Sequence, residues 1–154
     1  MMAAENPGSL VRFRSARWHF QRTFQTPLQN LQSFVGAILS AHEQVHGGFV
    51  TVDQVVFEPK HLMAMLAKRS LPAQIGHGWS LTIAGQHDVE AVLAAALSDW
   101  IDFLFVPTPE LFVMYADHDE YTTFYASTRS NLDRVVAALS AMGFTEVPGY
   151  ERQL

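Results

Sequence analysis

Apolar residues recur at helical spacing in four segments of the chain, and most of these segments have a recognisable beginning or end. The longest begins at Thr26-Pro27, a capping residue followed by a proline suited to the first helical turn, and its spacing continues almost to Gly47-Gly48. The last segment stops at Gly143, a typical residue after a helix C-terminus. The pattern therefore predicts four helices, at about 27–46, 59–69, 88–100 and 130–142.

Short runs rich in β-branched and aromatic residues alternate with these segments and predict strands. The runs lie at 10–14, 49–57, 79–84, 101–106, 111–116 and 121–126. The last three are joined by short polar turns, so they predict an antiparallel meander over about 101–126. Helices combined with an antiparallel meander are typical of the α+β class. We therefore expect a disordered leader at 1–8 and a single α+β domain at 9–154, in which the meander and additional strands pack against about four helices.

Composition limits the class of protein. A chain of 154 residues can bury roughly 68–70% of its unfolded surface, so its stability requires neither a metal nor a disulfide. Charged residues make up 16% of the chain and hydrophobic residues 49%, which favours association with a protein partner or with a second copy as a homodimer. The chain has no cysteine, which excludes thiol nucleophiles and thiolate metal sites. No apolar run approaches the roughly 18 residues of a membrane span, so we expect a cytoplasmic protein without a membrane partner.

Basic residues are concentrated near the N-terminus. Four arginines are interleaved with aromatic residues in a segment that lacks acidic residues: Arg12, Arg14, Arg17 and Arg22. Such a segment could pair with phosphates and stack on bases, but nucleic-acid-binding domains usually carry basic residues over a whole face. We therefore favour the alternative that the first two arginines lie on the solvent side of the strand predicted at 10–14 and pair with acidic residues elsewhere, without a nucleic-acid partner.

The stretch AHEQVHGG contains the zinc-binding spacing His42-Glu43-x-x-His46. Residues four apart on a helix share one face, so two such histidines can hold one zinc ion. The intervening glutamate can then take the proton of the zinc-bound water. Because both histidines fall on the apolar face of the helix predicted at 27–46, a zinc-dependent hydrolase is one hypothesis, with Glu43 as its catalytic base.

Two observations weaken the zinc hypothesis. A catalytic zinc needs a third protein ligand, and the sequence does not identify one. The longer form of the motif is absent, since Phe49 and Val52 occupy the positions of its glycine and third histidine. The alternative is that His46 binds free carbonyl groups at a helix C-terminus, while His42 is a core histidine with one hydrogen-bond partner. We therefore expect no cofactor, and keep zinc as the alternative.

A polar turn between two predicted strands is the second candidate site. It consists of Asp117, His118, Asp119 and Glu120. Aspartate satisfies backbone groups in turns and charge keeps a hairpin tip in water, so a solvated turn accounts for these residues. The functional alternatives are an acidic patch that binds a basic partner and an oxygen-rich cation site, although the turn lacks the spacing of a calcium loop.

Three hypotheses about function follow. The one we favour is a non-enzymatic binding or regulatory protein that acts through an acidic or apolar surface patch. The second is the zinc-dependent hydrolase built on His42 and His46. The third is a self-assembling structural subunit, which the low charge of the chain also favours.

Overall fold

The computed structural model describes residues 1–5, 20–71 and 74–153, and these residues form seven strands and four helices. The strands are β1 (Met2–Glu5), β2 (Phe20–Gln25), β3 (Gly47–Gln54), β4 (Trp79–Ala84), β5 (Asp102–Thr108), β6 (Val113–Ala116) and β7 (Tyr121–Ala126). The helices are α1 (Leu31–Ser40), α2 (Lys60–Lys68), α3 (Gln86–Ser98) and α4 (Arg129–Ala141).

These strands form one antiparallel sheet in the order β1-β4-β3-β5-β6-β7-β2. The consecutive strands β5, β6 and β7 are neighbours, which confirms the predicted meander. Strand β2 closes one edge by pairing with β7, and β1 closes the other edge by pairing with β4. The chain therefore has the predicted α+β fold.

The strands supply alternate residues to a core between the sheet and the helices. In β5, Phe103 and Phe105 join the apolar faces of all four helices in the main core, whereas Leu104 packs with Tyr115 and Tyr125 in a smaller cluster. This division follows from the two-residue period of a strand, which sends neighbouring side chains to opposite faces. The helices also contact one another, since α1 packs against α3 and α4, and α2 packs against α3.

The first helix is shorter than predicted. It covers Leu31–Ser40, and the glycine pair that the pattern assigns to its end belongs instead to the start of β3. A Cβ on Gly47 would lie 2.7 Å from the carbonyl oxygen of Ile83, and a Cβ on Gly48 would overlap the ring of Phe105. The pairing of β3 with two neighbours at close range thus requires the glycines and overrides the helical pattern of the preceding residues.

The N-terminal predictions need correction. The disordered leader at 1–8 is wrong for Met2–Glu5, which pair with β4, and the strand predicted at 10–14 lies outside the described residues. The sequence pattern does not predict β2, because only Thr23 and Phe24 within that strand are buried. Long polar residues at three of the other four positions, Gln21, Arg22 and Gln25, hide its alternation.

The strand register places the connections between strands and helices at two opposite ends of the sheet. Pairing of Gln54 with Asp102, and of Gln25 with Tyr121, shows that β2 and β3 finish where β5 and β7 begin. Helices α1 and α2 follow β2 and β3 and therefore start at this end, while α3 and α4 finish there. We call it the Phe57 end, formed by the connections 26–30, 55–59, 99–101 and 117–120. The other, the His46 end, is formed by the connections 41–46, 109–112 and 127–128.

None of the helices in the described part of the chain is both long enough and apolar enough to cross a bilayer.

Candidate functional site

His42 lies in the turn after α1 and is almost completely buried. Its Nε2 atom is 3.1 Å from the backbone carbonyl oxygen of Asn131 in α4, and its ring stacks on Phe112 with the centroids 5.7 Å apart. Since a carbonyl oxygen only accepts, Nε2 carries the proton and donates. His42 therefore joins the end of α1 to the first turn of α4.

Glu43 and His46 are exposed, unlike His42. The backbone N–H of His46 donates to the carbonyl oxygen of Thr108 at 3.0 Å, and its own carbonyl accepts from Gly85 at 2.7 Å. These bonds fix His46 as the entrance to β3. The expectation that both histidines share one helical face is wrong, because the helix ends at Ser40 and sheet pairing takes over the residues that follow.

The structure does not gather metal ligands around this motif. Among residues 1–5, 20–71 and 74–153, no group of three or more His, Asp or Glu side chains is placed to hold one ion. This also applies to the polar turn at 117–120. The zinc site on His42 and His46, with Glu43 as base, was inferred from a shared helical face. The structure does not have that shared face.

Burial lowers the pKa of His42 from its ordinary value of 6.5, although the hydrogen bond to Asn131 acts in the opposite direction. Its Nδ1 atom is buried and has no hydrogen-bond partner. Protonation would place a second N–H donor at that atom, where the structure offers no acceptor. His42 is thus a neutral core residue with one hydrogen-bond partner. This is the alternative to zinc binding inferred from the sequence.

We expect His42 to lower the free energy of unfolding in mild acid. With a lowered pKa in the folded state, the unfolded chain binds more protons below about pH 6.5, so stability is present above that pH and is lost as the pH falls toward the folded pKa. Urea unfolding at pH 7.5 and at pH 5.5 measures the loss. His42→Gln should reduce the pH dependence, because it removes the titrating group. An unaltered pH dependence in His42→Gln would contradict the assignment.

Asp117, the first residue of the polar turn, is buried and fully engaged. Its Oδ1 atom accepts the backbone N–H groups of Asp119 at 2.9 Å and Tyr121 at 3.0 Å. Its Oδ2 atom accepts from the guanidinium of Arg152. Glu120 has φ of 72°, so the turn includes a left-handed residue and needs this side-chain support.

His118 is paired with a buried carboxylate. Its backbone N–H and its Nδ1 both donate to Oδ1 of Asp102, at 2.7 and 2.8 Å. The side-chain hydrogen bond to Asp102 raises the pKa of His118. Within this turn, for which an acidic patch is one functional alternative, only Asp119 and Glu120 are therefore exposed carboxylates.

Three residues that the sequence does not single out form a partly buried polar network beside this turn. The hydroxyl of Tyr115 donates to Asp53 at 2.6 Å, and the guanidinium of Arg152 stacks 4.6 Å from the centre of the Tyr115 ring. Burial, followed by the hydrogen bond to Asp53, raises the pKa of Tyr115 far above its ordinary value, so it stays a neutral donor. No local pattern reveals this network, because its members are 37 or more residues apart.

A third buried carboxylate, Asp99, holds the start of α2. Its two oxygens accept the backbone N–H groups of His61 at 3.1 Å and Leu62 at 2.8 Å. Nδ1 of His61 also donates, at 2.7 Å. The residue after α3 thus caps α2 through tertiary contact, while Pro59 at the start of α2 provides no side-chain cap.

The basic segment is described only in part. Arg22 makes a two-pronged hydrogen bond with Glu146, at 2.7 and 2.8 Å. The interpretation favoured from the sequence concerns Arg12 and Arg14, so the pairing of Arg22 does not test it. The other three arginines, Arg12, Arg14 and Arg17, lie outside the described residues.

Exposed apolar side chains are distributed very unevenly. In the described part of the chain, five large hydrophobic side chains are exposed, to between 38% and 57%: Leu28, Val56, Phe57, Met63 and Met142. Two lie in the connection after β3, one in the connection after β2, one in the first turn of α2 and one at the end of α4. All five therefore belong to the Phe57 end. At the His46 end the corresponding side chains, such as Val45 and Phe112, are buried.

The chain matches no protein-family model, no curated protein and no solved structure. Its function must therefore be inferred from its own geometry.

Proposed function

We propose that the protein is a non-enzymatic binding protein, and that it binds a protein partner through the Phe57 end. The observation that carries this proposal is the segregation to that end of all five large hydrophobic side chains that are exposed among the described residues. Single exposed apolar residues are normal on any protein, but clustering of them marks interaction surfaces. Chance placement over the surface would distribute them over both ends.

The extent of the Phe57 end suits a protein partner. Four strand spacings separate β3, which precedes Phe57, from β2, which precedes Leu28. At about 4.8 Å for each spacing, the two strands are about 19 Å apart across the sheet. A stable interface covers about 800 Å² on each partner, which is a patch of this scale.

Charge at the Phe57 end supports a partner whose surface is basic. Glu58, Asp119 and Glu120 are exposed there, and Lys60 at the start of α2 is the exposed lysine among them. Interfaces place complementary charges around an apolar centre, which speeds association and rejects wrong partners. The expected partner therefore presents an apolar cleft bordered by lysine or arginine side chains.

The buried polar side chains are occupied by hydrogen bonds within the protein, which supports a non-enzymatic role. Asp99, Asp102 and Asp117 each bind backbone and side-chain donors, and His42 is buried and neutral. A general acid or base must reach a substrate, and these groups are committed to the fold. A cytoplasmic location belongs to the same proposal, since no apolar run of the sequence approaches the length of a membrane span.

The double substitution Val56→Ser with Phe57→Ser tests the proposal. The tagged protein is used to recover a partner from an extract of the source cells, and the affinity of the purified pair is then measured by calorimetry. We expect at least a hundredfold loss of affinity, because a buried aromatic anchor and its neighbour dominate such interfaces. His46→Ala, at the opposite end, is the matched control and should retain full affinity. Equal affinity in all three proteins would overturn the proposal.

Two other outcomes would support the alternative hypotheses. A concentration-independent homodimer in sedimentation that the serine substitutions dissociate would show that the Phe57 end binds a second copy, as in a self-assembling subunit. About one zinc ion per chain in protein purified without chelator, lost in His46→Ala, would support the hydrolase. Either result would replace the binding function proposed here.

A further inference from the structure

The last residues of the chain bind to β2 as an added peptide would. After α4, the N–H of Gln25 donates to the carbonyl of Thr145 at 2.9 Å, and the N–H of Val147 donates to the carbonyl of Thr23 at 2.8 Å. An isolated antiparallel bridge joins Phe24 to Glu146 between these bonds. Backbone pairing of an extended segment with an edge strand is a common way of binding peptides.

Further along the same segment, the side-chain amide of Gln21 pairs with the backbone of Arg152. The Gln21 oxygen accepts the N–H of Arg152 at 2.8 Å, and the Gln21 amide nitrogen donates to the carbonyl of Arg152 at 3.4 Å. An amide side chain that satisfies both backbone groups of one residue binds that backbone whatever the side chain.

The guanidinium of Arg152 occupies a site that matches its chemistry. Its ring partners are Tyr115, with the centroid 4.6 Å away, and Tyr150, at 5.7 Å. Its Nε donates to the hydroxyl of Thr123 at 3.3 Å, and a terminal nitrogen donates to Asp117. The side chain remains only 10% exposed. Stacking planes with a carboxylate select arginine over lysine, whose ammonium group is a point charge.

Three of the four groups around the guanidinium, all except Tyr150, lie outside the C-terminal segment and are held there by other residues. Asp117 is fixed by backbone N–H groups of its own turn, and Tyr115 by its hydrogen bond to Asp53. The Thr123 hydroxyl bonds to that of Thr23 at 2.8 Å. The site is thus built by the sheet, and the C-terminal segment is its occupant.

From these contacts we infer that the surface formed by Gln21, Tyr115, Asp117 and Thr123 is a recognition site for a peptide that pairs with β2, turns and then presents an arginine. The chain's own residues 145–152, which turn at Pro148 and Gly149, occupy it. A partner that presents such a segment competes with the chain's own segment for the site. The inference does not depend on the function proposed for the Phe57 end, because it rests on a different set of contacts.

The covalent link between the C-terminal segment and the rest of the chain determines how well a free peptide can compete for the site. A short flexible tether gives the attached segment an effective concentration on the order of millimolar. A free peptide therefore binds the unaltered protein weakly, and weakening the attached segment should raise the apparent affinity of the free one. The Arg152 side chain is the natural point to weaken, because it carries the contacts that distinguish arginine.

The test uses the full chain with Arg152→Ala and a fluorescent peptide of the sequence FTEVPGYERQ, which corresponds to residues 144–153. Fluorescence anisotropy measures its affinity. We expect the peptide to bind Arg152→Ala at least tenfold more tightly than the unaltered protein, and a peptide with lysine in place of the arginine to lose most of that affinity. Arg69→Ala, which removes a surface arginine paired with Asp88, is the matched control and should behave as the unaltered protein.

Equal affinities for Arg152→Ala and the unaltered protein, or for the arginine and lysine peptides, would overturn the inference. Arg152→Lys retains the charge and keeps the test valid should the alanine variant fail to fold, and it should also bind the arginine peptide more tightly than the unaltered protein does. As a second measurement, arginine amide should raise the melting temperature of the Arg152 variant that folds, and lysine amide should not. No difference between the two amides would count against the site.

Discussion

Replacing Asp117 by alanine is expected to lower the free energy of unfolding by about 3–5 kcal/mol, since removing one member of a buried ion pair leaves the other charge uncompensated. The side chains of Arg152 and Asp117 are only 10% and 8% exposed, so water cannot replace the lost partner. The substitution also leaves the backbone N–H groups of Asp119 and Tyr121 without their acceptor. Urea unfolding followed by circular dichroism measures the loss.

Two further variants show whether the loss of stability comes from the buried ion pair. Asp117→Ala combined with Arg152→Met removes both charges and should be more stable than the sum of the two single losses implies. Asp88→Ala breaks the exposed pair with Arg69, whose side chain is 40% exposed, and should cost no more than about 1 kcal/mol. If Asp117→Ala costs as little as Asp88→Ala, the buried pair does not stabilise the fold.

Asp99→Ala should lower the free energy of unfolding by about 2–3 kcal/mol, because it removes the cap of α2 and leaves buried donors unsatisfied. Asp99 is 4% exposed and accepts the backbone N–H groups of His61 and Leu62. The loss should be accompanied by fraying of the first turn of α2. Amide hydrogen exchange at residues 61–63, together with urea unfolding, measures both effects.

Asp99→Asn sharpens the test of this cap. An amide group offers one acceptor oxygen in place of two, so one of the two backbone donors loses its partner in either orientation of the side chain. We expect a loss intermediate between zero and that of Asp99→Ala. Stability and exchange rates unchanged in both variants would show that α2 is held by the burial of Leu62 and Leu66 alone.

The H-E-x-x-H spacing shows how the conformation of a local motif depends on pairing with residues far away in the sequence. Helical periodicity continues past Ser40 in the sequence, yet the chain leaves the helix there. His46 is instead bonded to Thr108 and Gly85, which belong to other parts of the chain. Those bonds, and the close approach of Ile83 to Gly47, depend on the sheet order and cannot be read from a window of a few residues.

The arginine site shows the same limit for function. Gln21, Tyr115 and Arg152 have no distinguishing spacing, and they meet only because β2 lies beside β7 and the C-terminal segment crosses them. The polar turn, by contrast, is conspicuous in the sequence, but two of its four residues are turned inward by Arg152 and Asp102. Only the exposed pair, Asp119 and Glu120, keeps the role of an acidic surface in the proposed function.

The sequence by itself determined the α+β class, the meander, four helices and the limits of β4 and β7, because those features depend on the periods of 3.6 and two residues and on local turn chemistry. The tertiary structure alone decided where α1 ends, that β2 and Met2–Glu5 join the sheet, and which polar groups are buried in pairs. It also decided that the exposed apolar side chains share one end. These outcomes depend on contacts between residues far apart in the chain, and the free energy of such contacts exceeds the weak preferences of the local sequence.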